Sequence, residues 1–234
     1  GFSGFSEFRY YMQRGLLSPI GSETRINAED TTDIIMQKVA IMQSKVSRHT
    51  AEIVDREALA MAIEMLAGAD TIFFTGVGSA GGLAQIAVSL FQNAGMKSLL
   101  ISDELVQTRF VNTLTPKDVV IGLTGCGYVK TVVDSLMLAQ RRKESTICIT
   151  GMVDSLISKY ADIVLTSSMG EYQNTIDQSA IITSQLITLT SLQLGVAVKN
   201  AKKLKPTMVD SLKINELRRY SLKMKNIEIG RVRF

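Results

Sequence analysis

Residues 71–82 read TIFFTGVGSAGG, and this stretch decides the fold. Its first five residues are aromatic, aliphatic or β-branched, which is typical of a short buried strand. The glycines that follow permit a tight turn, and the apolar residues up to Phe91 predict a helix. An apolar strand that runs through a glycine-rich turn into a helix is the repeating unit of a parallel α/β sheet.

The same pattern returns along the rest of the chain. A second glycine-rich turn, at 123–131, lies between an apolar run and a helical one. Strands are predicted at 71–75, 98–102, 119–123, 146–150 and 163–165, and later helices at 130–140, 155–160 and 177–200. This order predicts a three-layer α/β sandwich with a five-stranded parallel sheet, doubly wound and flavodoxin-like, with right-handed crossovers.

Two helices are predicted ahead of the sheet. Apolar residues recur at helical spacing from 27 to 48, with Asn27 or Asp30 as the expected N-cap. A second helix, from 55 to 67, carries one apolar face and is expected to stop at Gly68.

Composition is that of an ordinary globular protein, since 46% of the 234 residues are hydrophobic and 21% are charged. Ser, Thr and Gln interrupt the longest apolar run, 181–198, which predicts a buried core helix rather than a membrane span. The only histidine, His49, and the two cysteines, Cys126 and Cys148, show no metal-ligand spacing, so no metal or cofactor is predicted. Two cysteines fit a reduced, cytoplasmic setting.

The net charge of +4 is unevenly distributed. Residues 199–234 hold eleven basic and three acidic residues, a charge of +8, which leaves −4 for residues 1–198. Such a basic end favours either contact with nucleic acid or a solvated surface tail.

Chemistry is expected at the two glycine-rich turns, because ligands of parallel sheets bind beyond the carboxyl ends of the strands. Free amides at the helix start after each turn, together with the helix dipole, favour an anion such as phosphate. Hydroxyl groups of Ser79, Thr124 and Thr131 would add hydrogen bonds. Cys126 either fills a tight turn or is a reactive thiol near a helix start.

An alternative interpretation of the first turn is a dinucleotide site. Gly76-x-Gly78-x-x-Gly81 matches the dinucleotide fingerprint letter for letter. Asp103, near the end of the second predicted strand, would then bind the ribose hydroxyls.

Residues 69–198 resemble the sugar isomerase (SIS) domain nearly end to end. The similarity rests on IFFTGVGS at 72–79, PKDVVI at 116–121, IT at 149–150, SL at 155–156 and ADIVL at 161–165, in the order in which that family carries such motifs. The resemblance implies a domain that binds phosphosugars.

The start of the chain, GFSGFSEF at 1–8, is similar to the end of the helix-turn-helix domain in RpiR-type transcriptional regulators. The resemblance implies a remnant of that domain and its linker at 1–20, connecting helices at 21–68, an SIS core at 69–200 and a basic helix or tail at 201–234. Most of the DNA-binding domain would precede Gly1.

For the site, the resemblance implies a sugar phosphate held by Gly78, Ser79, Ala80, Thr124, Gly125, Cys126, Gly127, Thr131 and Glu171. The family's second loop usually reads Ser-x-Ser-Gly-x-Thr, but here Cys126 and Val129 replace a Ser and the Thr. Ala80 likewise stands where the first loop commonly has a second Ser. Each missing hydrogen bond to a charged group is worth about 1.5–3 kcal/mol, so both weaker phosphate binding and a different ligand are open.

The predicted function is sugar-phosphate-responsive transcriptional regulation of carbohydrate metabolism genes, as a repressor. We expect a homodimer or homotetramer that binds an operator through the N-terminal domain and has no membrane partner. The alternative is an aldose–ketose sugar-phosphate isomerase of the same fold, with Glu171 as the base. No second acid–base residue stands out, so no catalytic residue is predicted.

Overall fold

A computed structural model of the chain describes residues 25–169 and 178–217. The described helices are α1 (Thr32–Ile53), α2 (Arg56–Ala67), α3 (Ser79–Asn93), α4 (Glu104–Phe110), α5 (Lys130–Arg141), α6 (Ser179–Lys199) and α7 (Ala201–Leu217). The described strands are β1 (Ile72–Thr75), β2 (Ser98–Leu100), β3 (Val119–Thr124), β4 (Ser145–Thr150) and β5 (Ile163–Thr166). Two short 3₁₀ turns lie at Val111–Thr113 and Ile157–Tyr160.

All five strands are parallel and lie in the order β2-β1-β3-β4-β5. β1 and β3 pair from Ile72 with Val119 to Thr75 with Gly122, so the ends of these two strands lie side by side. β2 extends the sheet beyond β1, while β4 and β5 extend it beyond β3. This is the flavodoxin-like order, and it confirms the predicted parallel α/β fold.

The core lies on both faces of the sheet, because side chains alternate along each strand. Ile72 and Phe74 belong to the cluster that includes the apolar sides of α2, α3 and α6. Phe73 belongs to the cluster formed with α5 and the first 3₁₀ turn. The helices therefore form two layers around the sheet, as the prediction requires.

Helix α6 is the buried core helix that the sequence predicted. It is long and apolar enough to cross a membrane by length and composition alone. In the fold it contacts α1, α2 and α3, and it buries Leu189 and Leu192 in the core. Its Ser184 and Gln185 are also buried, and both make hydrogen bonds within the protein.

Helix α1 begins later than predicted. Thr31 is its N-cap, because the Thr31 hydroxyl accepts a hydrogen bond from the Ile34 amide. The prediction of an Asn27 or Asp30 cap was wrong. The Asp30 carboxylate is instead occupied by the Asn27 amide and by Lys38, whose Nζ lies 2.7 Å away.

Two further elements differ from the prediction, while α2 agrees with it from its Asp55 cap to its end at Gly68. The seven-residue helix α4 was not predicted; the Asp103 side chain begins it by accepting from the Val106 amide at 2.9 Å. The helix predicted at 155–160 is only the 3₁₀ turn Ile157–Tyr160.

Candidate functional site

The two glycine-rich turns lie next to each other in space. They follow β1 and β3, which are neighbours in the sheet, and the chain leaves these strands toward opposite sides, since β2 follows on one side and β4 on the other. This divergence opens a crevice beyond the carboxyl ends of the strands, where doubly wound sheets bind ligands.

The first turn needs glycine at two positions for different reasons. A Cβ at Gly76 would stand 2.8 Å from the Ala80 carbonyl oxygen, so the backbone can only pass there without a side chain. Gly78 has a φ of +62°, which favours glycine, and it begins α3. Buried Gln107 fixes the turn by accepting from the Thr75 hydroxyl and the Gly76 amide and donating to the Gly76 carbonyl.

The second turn is anchored through its backbone. The Gly127 amide donates to the Thr124 hydroxyl at 3.2 Å, and the Gly127 carbonyl accepts from the Ile157 amide at 3.0 Å. Gly127 has a φ of +76°, and a Cβ there would stand 1.9 Å from Ser155 Oγ. These contacts hold the residues between Thr124 and Gly127 against the rest of the fold.

A cleft of about 250 Å³, here called the anion cleft, lies between the two turns and the start of α6. Its walls are residues 77–80 from the first turn, residues 123–126 and Val129 from the second, and Gln178, Ile181, Ile182 and Gln185 from α6 and its cap. No residue of these walls is charged in the part of the chain that the structure describes.

Three helices begin at the anion cleft, and in each the side chain of the N-cap residue makes no capping hydrogen bond. They are α3, α5 and α6, whose N-cap residues Gly78, Val129 and Gln178 all line the cleft. The other helices with a described start, apart from α7, are capped by side chains: Thr31 in α1, Asp55 in α2 and Asp103 in α4. Free backbone amides and helix dipoles at such starts favour an anion, and the described walls of the cleft contribute no cationic side chain.

Comparison with known proteins agrees with this architecture. Residues 65–197, more than half of the chain, match the family model described as the SIS domain. The chain belongs to the SIS domain family. The match includes both turns and α6 up to Ala197, so the anion cleft lies wholly within the SIS domain.

Two curated relatives have different functions. An uncharacterized HTH-type transcriptional regulator of Haemophilus influenzae is 29% identical over 170 residues, which are 70% of this chain and 59% of that protein. N-acetylmuramic acid 6-phosphate etherase of Lactobacillus johnsonii is 34% identical over 103 residues, 44% of this chain and 35% of that enzyme. The chain therefore spans less than two thirds of the length of both relatives.

Two solved structures share the fold of this SIS domain. The Vibrio vulnificus NanR protein complexed with ManNAc-6P superposes with a TM-score of 0.71 at 17% identity, covering 94% of this chain and 78% of that one. The sugar isomerase domain of the RpiR transcription factor from Sphaerobacter thermophilus gives a TM-score of 0.63 at 17% identity, covering 78% and 98%.

Six of the nine predicted site residues line the anion cleft of the SIS domain: Gly78, Ser79, Ala80, Thr124, Gly125 and Cys126. Gly127 is buried behind the second turn, where it shapes the backbone. Thr131 does not line the cleft. Its hydroxyl donates instead to Glu104 at the start of α4, at 3.2 Å. Glu171 lies outside the described residues.

The sequence analysis missed the contribution of α6. The Ser79 hydroxyl donates to the Gln178 side-chain oxygen at 2.5 Å across the mouth of the cleft. The Gln185 amide nitrogen donates to the carbonyls of Thr124 and Ile149 at 3.1 and 3.2 Å, so it joins the ends of β3 and β4. No local signal singles out these two glutamines, because Ser, Thr and a third Gln also interrupt the apolar residues of this helix.

Of the two cysteines and the histidine, Cys148 and His49 lie away from the anion cleft and Cys126 lies in it. Burial raises the pKa of the Cys148 thiol to about 12, and Cys148 is a core residue. His49 Nδ1 lies 2.9 Å from Ser168 Oγ and faces a groove of about 620 Å³ along α1, which contains neither turn. Cys126 is half-buried in the anion cleft, 3.9 Å from the Thr124 hydroxyl.

The dinucleotide interpretation loses its proposed ribose ligand. The Asp103 carboxylate accepts from the Val106 amide and caps α4, and Asp103 lines neither of the two clefts beside the first turn. The glycines themselves behave as in that fingerprint, since a Cβ at Gly81 would stand 3.1 Å from the Gly76 carbonyl oxygen. The geometry of the turn thus suits both a dinucleotide and a sugar phosphate, whereas Asp103 is not placed to bind a ribose.

Proposed function

We propose that the anion cleft binds the phosphate of a sugar phosphate and that the chain is the effector-binding part of a transcriptional repressor of carbohydrate metabolism genes. The observation that supports this is the convergence of three helix starts, each without a capping hydrogen bond from its N-cap side chain, on one cleft whose described walls are uncharged. The working form is a cytoplasmic homodimer or homotetramer that binds its operator through an N-terminal helix-turn-helix domain.

Amides rather than cations would hold the phosphate. The backbone N–H groups at the starts of α3 and α5 would donate to the phosphate, while the Ser79 hydroxyl at the rim of the cleft is engaged by Gln178. The nearest lysine along the chain, Lys130, is mostly solvent-exposed and pairs with Asp134 at 2.6 Å. This arrangement favours a phosphate that binds and leaves, as an effector must.

Regulation fits the described site better than isomerisation. Moving a proton between adjacent sugar carbons requires a general base within hydrogen-bond reach of the substrate. The described walls of the anion cleft contain neither a carboxylate nor an imidazole, although they contain the Cys126 thiol. The regulator among the relatives and the NanR and RpiR structures support the same assignment.

Helix α6 is a direct route from the cleft toward the N-terminal part of the chain. Its cap, Gln178, lines the cleft, and its Thr183 hydroxyl donates to Gln43 of α1. One residue further, the Ser184 hydroxyl accepts from Thr50 of α1 at 2.8 Å. A ligand that moves Gln178 therefore biases the placement of α1, and such coupling between two sites is reciprocal in free energy.

A thermal-shift panel tests the ligand class. We expect sugar phosphates to raise Tm in proportion to the logarithm of concentration above Kd, and the matching neutral sugars to have no effect. Equal shifts with neutral sugars would contradict an anion site. Parallel assays for isomerase and etherase turnover would overturn the regulator assignment if the chain turned over any sugar phosphate at enzymic rates.

A charge-introducing variant locates the phosphate. Ala80 is the second residue of α3 and packs partly against the core, so Ala80→Asp should lower Tm slightly, with the helix dipole limiting the loss, while it repels the anion and abolishes the ligand shift. Thr32→Asp at the exposed start of α1 adds the same charge to a helix far along the chain from both turns and should leave the shift intact. An unchanged shift in Ala80→Asp would refute the site.

The regulatory part requires DNA. The complete gene product should select an operator from a genomic fragment library, and a sugar phosphate that binds the anion cleft should change its operator affinity. Transcription from that operator should rise when the gene is deleted. A fall in transcription on deletion would show an activator instead of a repressor.

A further inference from the structure

A second cleft lies on the other side of the first turn from the anion cleft. It occupies about 300 Å³ between the turn, the end of β2 and the start of α4, and we call it the diol cleft. Val77 and Gly78 line both clefts. Gly78 is exposed and a Cβ there would meet nothing within 4 Å, so one ligand can lie across it.

Gly82 in the wall of the diol cleft has no reason within the fold to be glycine. It is the fourth residue of α3, it has ordinary helical geometry, and a Cβ there would meet nothing within 4 Å. Glycine is among the poorest helix formers, so alanine would stabilise this position. Gly76 and Gly81, by contrast, are required because a Cβ at either would press on backbone atoms. Gly82 is therefore a position in the wall of the diol cleft at which the helix itself does not require glycine.

The rim of the diol cleft carries an oriented carboxylate. Glu104 lines the cleft, and one of its oxygens accepts from the Thr131 hydroxyl at 3.2 Å, which leaves the other oxygen free of that contact. Ser102 and Gln85 add an exposed hydroxyl and an exposed amide, while Gln107 forms the floor and is engaged by the first turn. A carboxylate repels a second phosphate but accepts hydrogen bonds from alcohols.

We propose that the diol cleft binds a vicinal diol of the ligand whose phosphate lies in the anion cleft, with Glu104 accepting hydrogen bonds from the two hydroxyls. This rests on the proposed function for the phosphate. A vicinal diol occurs both in the carbon chain of a sugar phosphate and in the ribose of a nucleotide. In dinucleotide-binding doubly wound sheets, the pyrophosphate lies at the helix start after the glycine-rich turn and a nearby carboxylate binds the ribose hydroxyls.

The test uses the whole chain, isothermal titration and three probes: glucose 6-phosphate, AMP with its 2′-deoxy analogue, and inorganic phosphate. Glu104→Gln retains the size and the contact with Thr131 but removes the charge. It should weaken the preferred diol-bearing probe about tenfold, the value of one hydrogen bond to a charged group, and should not weaken inorganic phosphate. Glu52→Gln, an exposed carboxylate on α1, is the matched control.

Gly82→Ala separates binding from folding. It should raise Tm, because alanine favours the helix, and it should weaken the same diol-bearing probe while inorganic phosphate binds as before. Gly68→Ala, where a Cβ would make only ordinary contacts, is the control for a glycine replacement outside both clefts. An equal loss of all probes in either variant, or no loss of any, would overturn the diol cleft.

The outcomes also separate this inference from the proposed function. If glucose 6-phosphate binds and neither Glu104→Gln nor Gly82→Ala affects it, the diol cleft is wrong and the phosphate site stands. If AMP binds more tightly than 2′-deoxy-AMP and glucose 6-phosphate does not bind, the diol cleft stands and the sugar-phosphate effector is wrong. If the wild-type chain binds none of the probes, both are wrong.

Discussion

Polar groups at the amino ends of the strands, here called the amino edge, are paired within the fold, whereas those at the carboxyl ends, the carboxyl edge, are left available. At the amino edge a carboxylate precedes each of β3, β4 and β5, and each finds partners within the fold. Asp118 accepts from the amide and hydroxyl of Thr115, and Asp162 accepts from the amide and hydroxyl of Thr146. At the carboxyl edge three helices begin at N-cap residues whose side chains make no capping hydrogen bond.

This difference separates stability from binding. A buried polar group that is paired inside the protein stabilises the fold, whereas an uncapped helix start keeps its donors available at a cost of about 1 kcal/mol per missing cap. We therefore expect substitutions at the amino edge to change unfolding and leave ligand affinity unchanged. Substitutions at the carboxyl edge should do the reverse, with one exception that gives the largest effect.

That exception is Gly127, which lies at the carboxyl edge but is structural. Gly127→Val would place a branched side chain at a φ of +76° and against Ser155, so we expect a loss of about 3 kcal/mol in the free energy of unfolding. Urea unfolding measures it. Gly78→Ala is the matched control, with a similar φ but open space around the added Cβ, and should cost only about 1 kcal/mol. Equal losses would show that steric contact with Ser155 is unimportant.

Asp118→Ala tests the amino edge. Burial opposes the charged form of Asp118, but hydrogen bonds from Thr115 and Thr71 outweigh it and lower the pKa below the ordinary value. Removing the carboxylate leaves these donors unpaired, and we expect a loss of about 2 kcal/mol at pH 7. Because the folded-state pKa is lowered, the contribution of Asp118 is present above the unfolded pKa and disappears as pH falls through the folded one.

The readouts for Asp118→Ala are urea unfolding at pH 7 and the ligand-induced thermal shift. The shift should equal that of the wild type even though Tm is lower. Asp33→Ala, an exposed acid in the first turn of α1, should change unfolding by less than about 0.5 kcal/mol. A loss of ligand binding in Asp118→Ala would show that the two edges are not independent.

The fold could be predicted from the sequence because its signals are local. Apolar strands such as 119–123 and the glycine-rich turns after them specify their own conformation, and strand 72–75 needs no distant residue to be recognised. Helix α4 was missed because it is short and depends on a cap, Asp103, that was interpreted as a ribose ligand. Short helices carry too few residues for periodicity to reveal them.

The site was only partly predictable, because its third wall comes from distant chain. Gln178 and Gln185 reach the cleft through the docking of α6 across the ends of β3 and β4, which no local pattern encodes. Thr131 was placed in the site by its position after the second turn, but the unpredicted α4 brings Glu104 to its hydroxyl. Local signals located the donors, and tertiary packing decided which side chains face them.

Ala80→Ser sharpens the contrast from the carboxyl edge. A hydroxyl at the second residue of α3, in the wall of the anion cleft, should add a hydrogen bond to the phosphate and tighten binding by up to about tenfold, with little change in Tm. Isothermal titration with a sugar phosphate that the wild type binds measures this change in affinity. Ala201→Ser, at the exposed start of α7, should leave affinity unchanged. Unchanged affinity in Ala80→Ser would mean that the phosphate lies nearer to the second turn.

Glu144 is the carboxylate of the amino edge that is only partly paired, and its substitution should change stability least. Arg142 Nε lies 2.9 Å from one carboxylate oxygen of this buried side chain, while the other oxygen has no partner in the described structure. Burial raises the pKa of Glu144 above its ordinary value, and the charge of Asp118 adds to this while Arg142 opposes it. The folded state therefore keeps the proton to a higher pH than the unfolded state does.

Because the folded-state pKa is raised, wild-type stability from this group falls as pH rises from the unfolded pKa toward the folded one. Glu144→Gln removes the titration, so the variant should match the wild type near pH 4 and exceed it by about 1 kcal/mol at pH 7. Urea unfolding across that range measures the difference, and exposed Glu29→Gln should give a curve parallel to the wild type. If the difference in unfolding free energy between Glu144→Gln and the wild type instead grew as pH fell, Glu144 would be fully paired, like Asp118. The amino edge would then hold only satisfied carboxylates, and its contrast with the uncapped helices of the carboxyl edge would be complete.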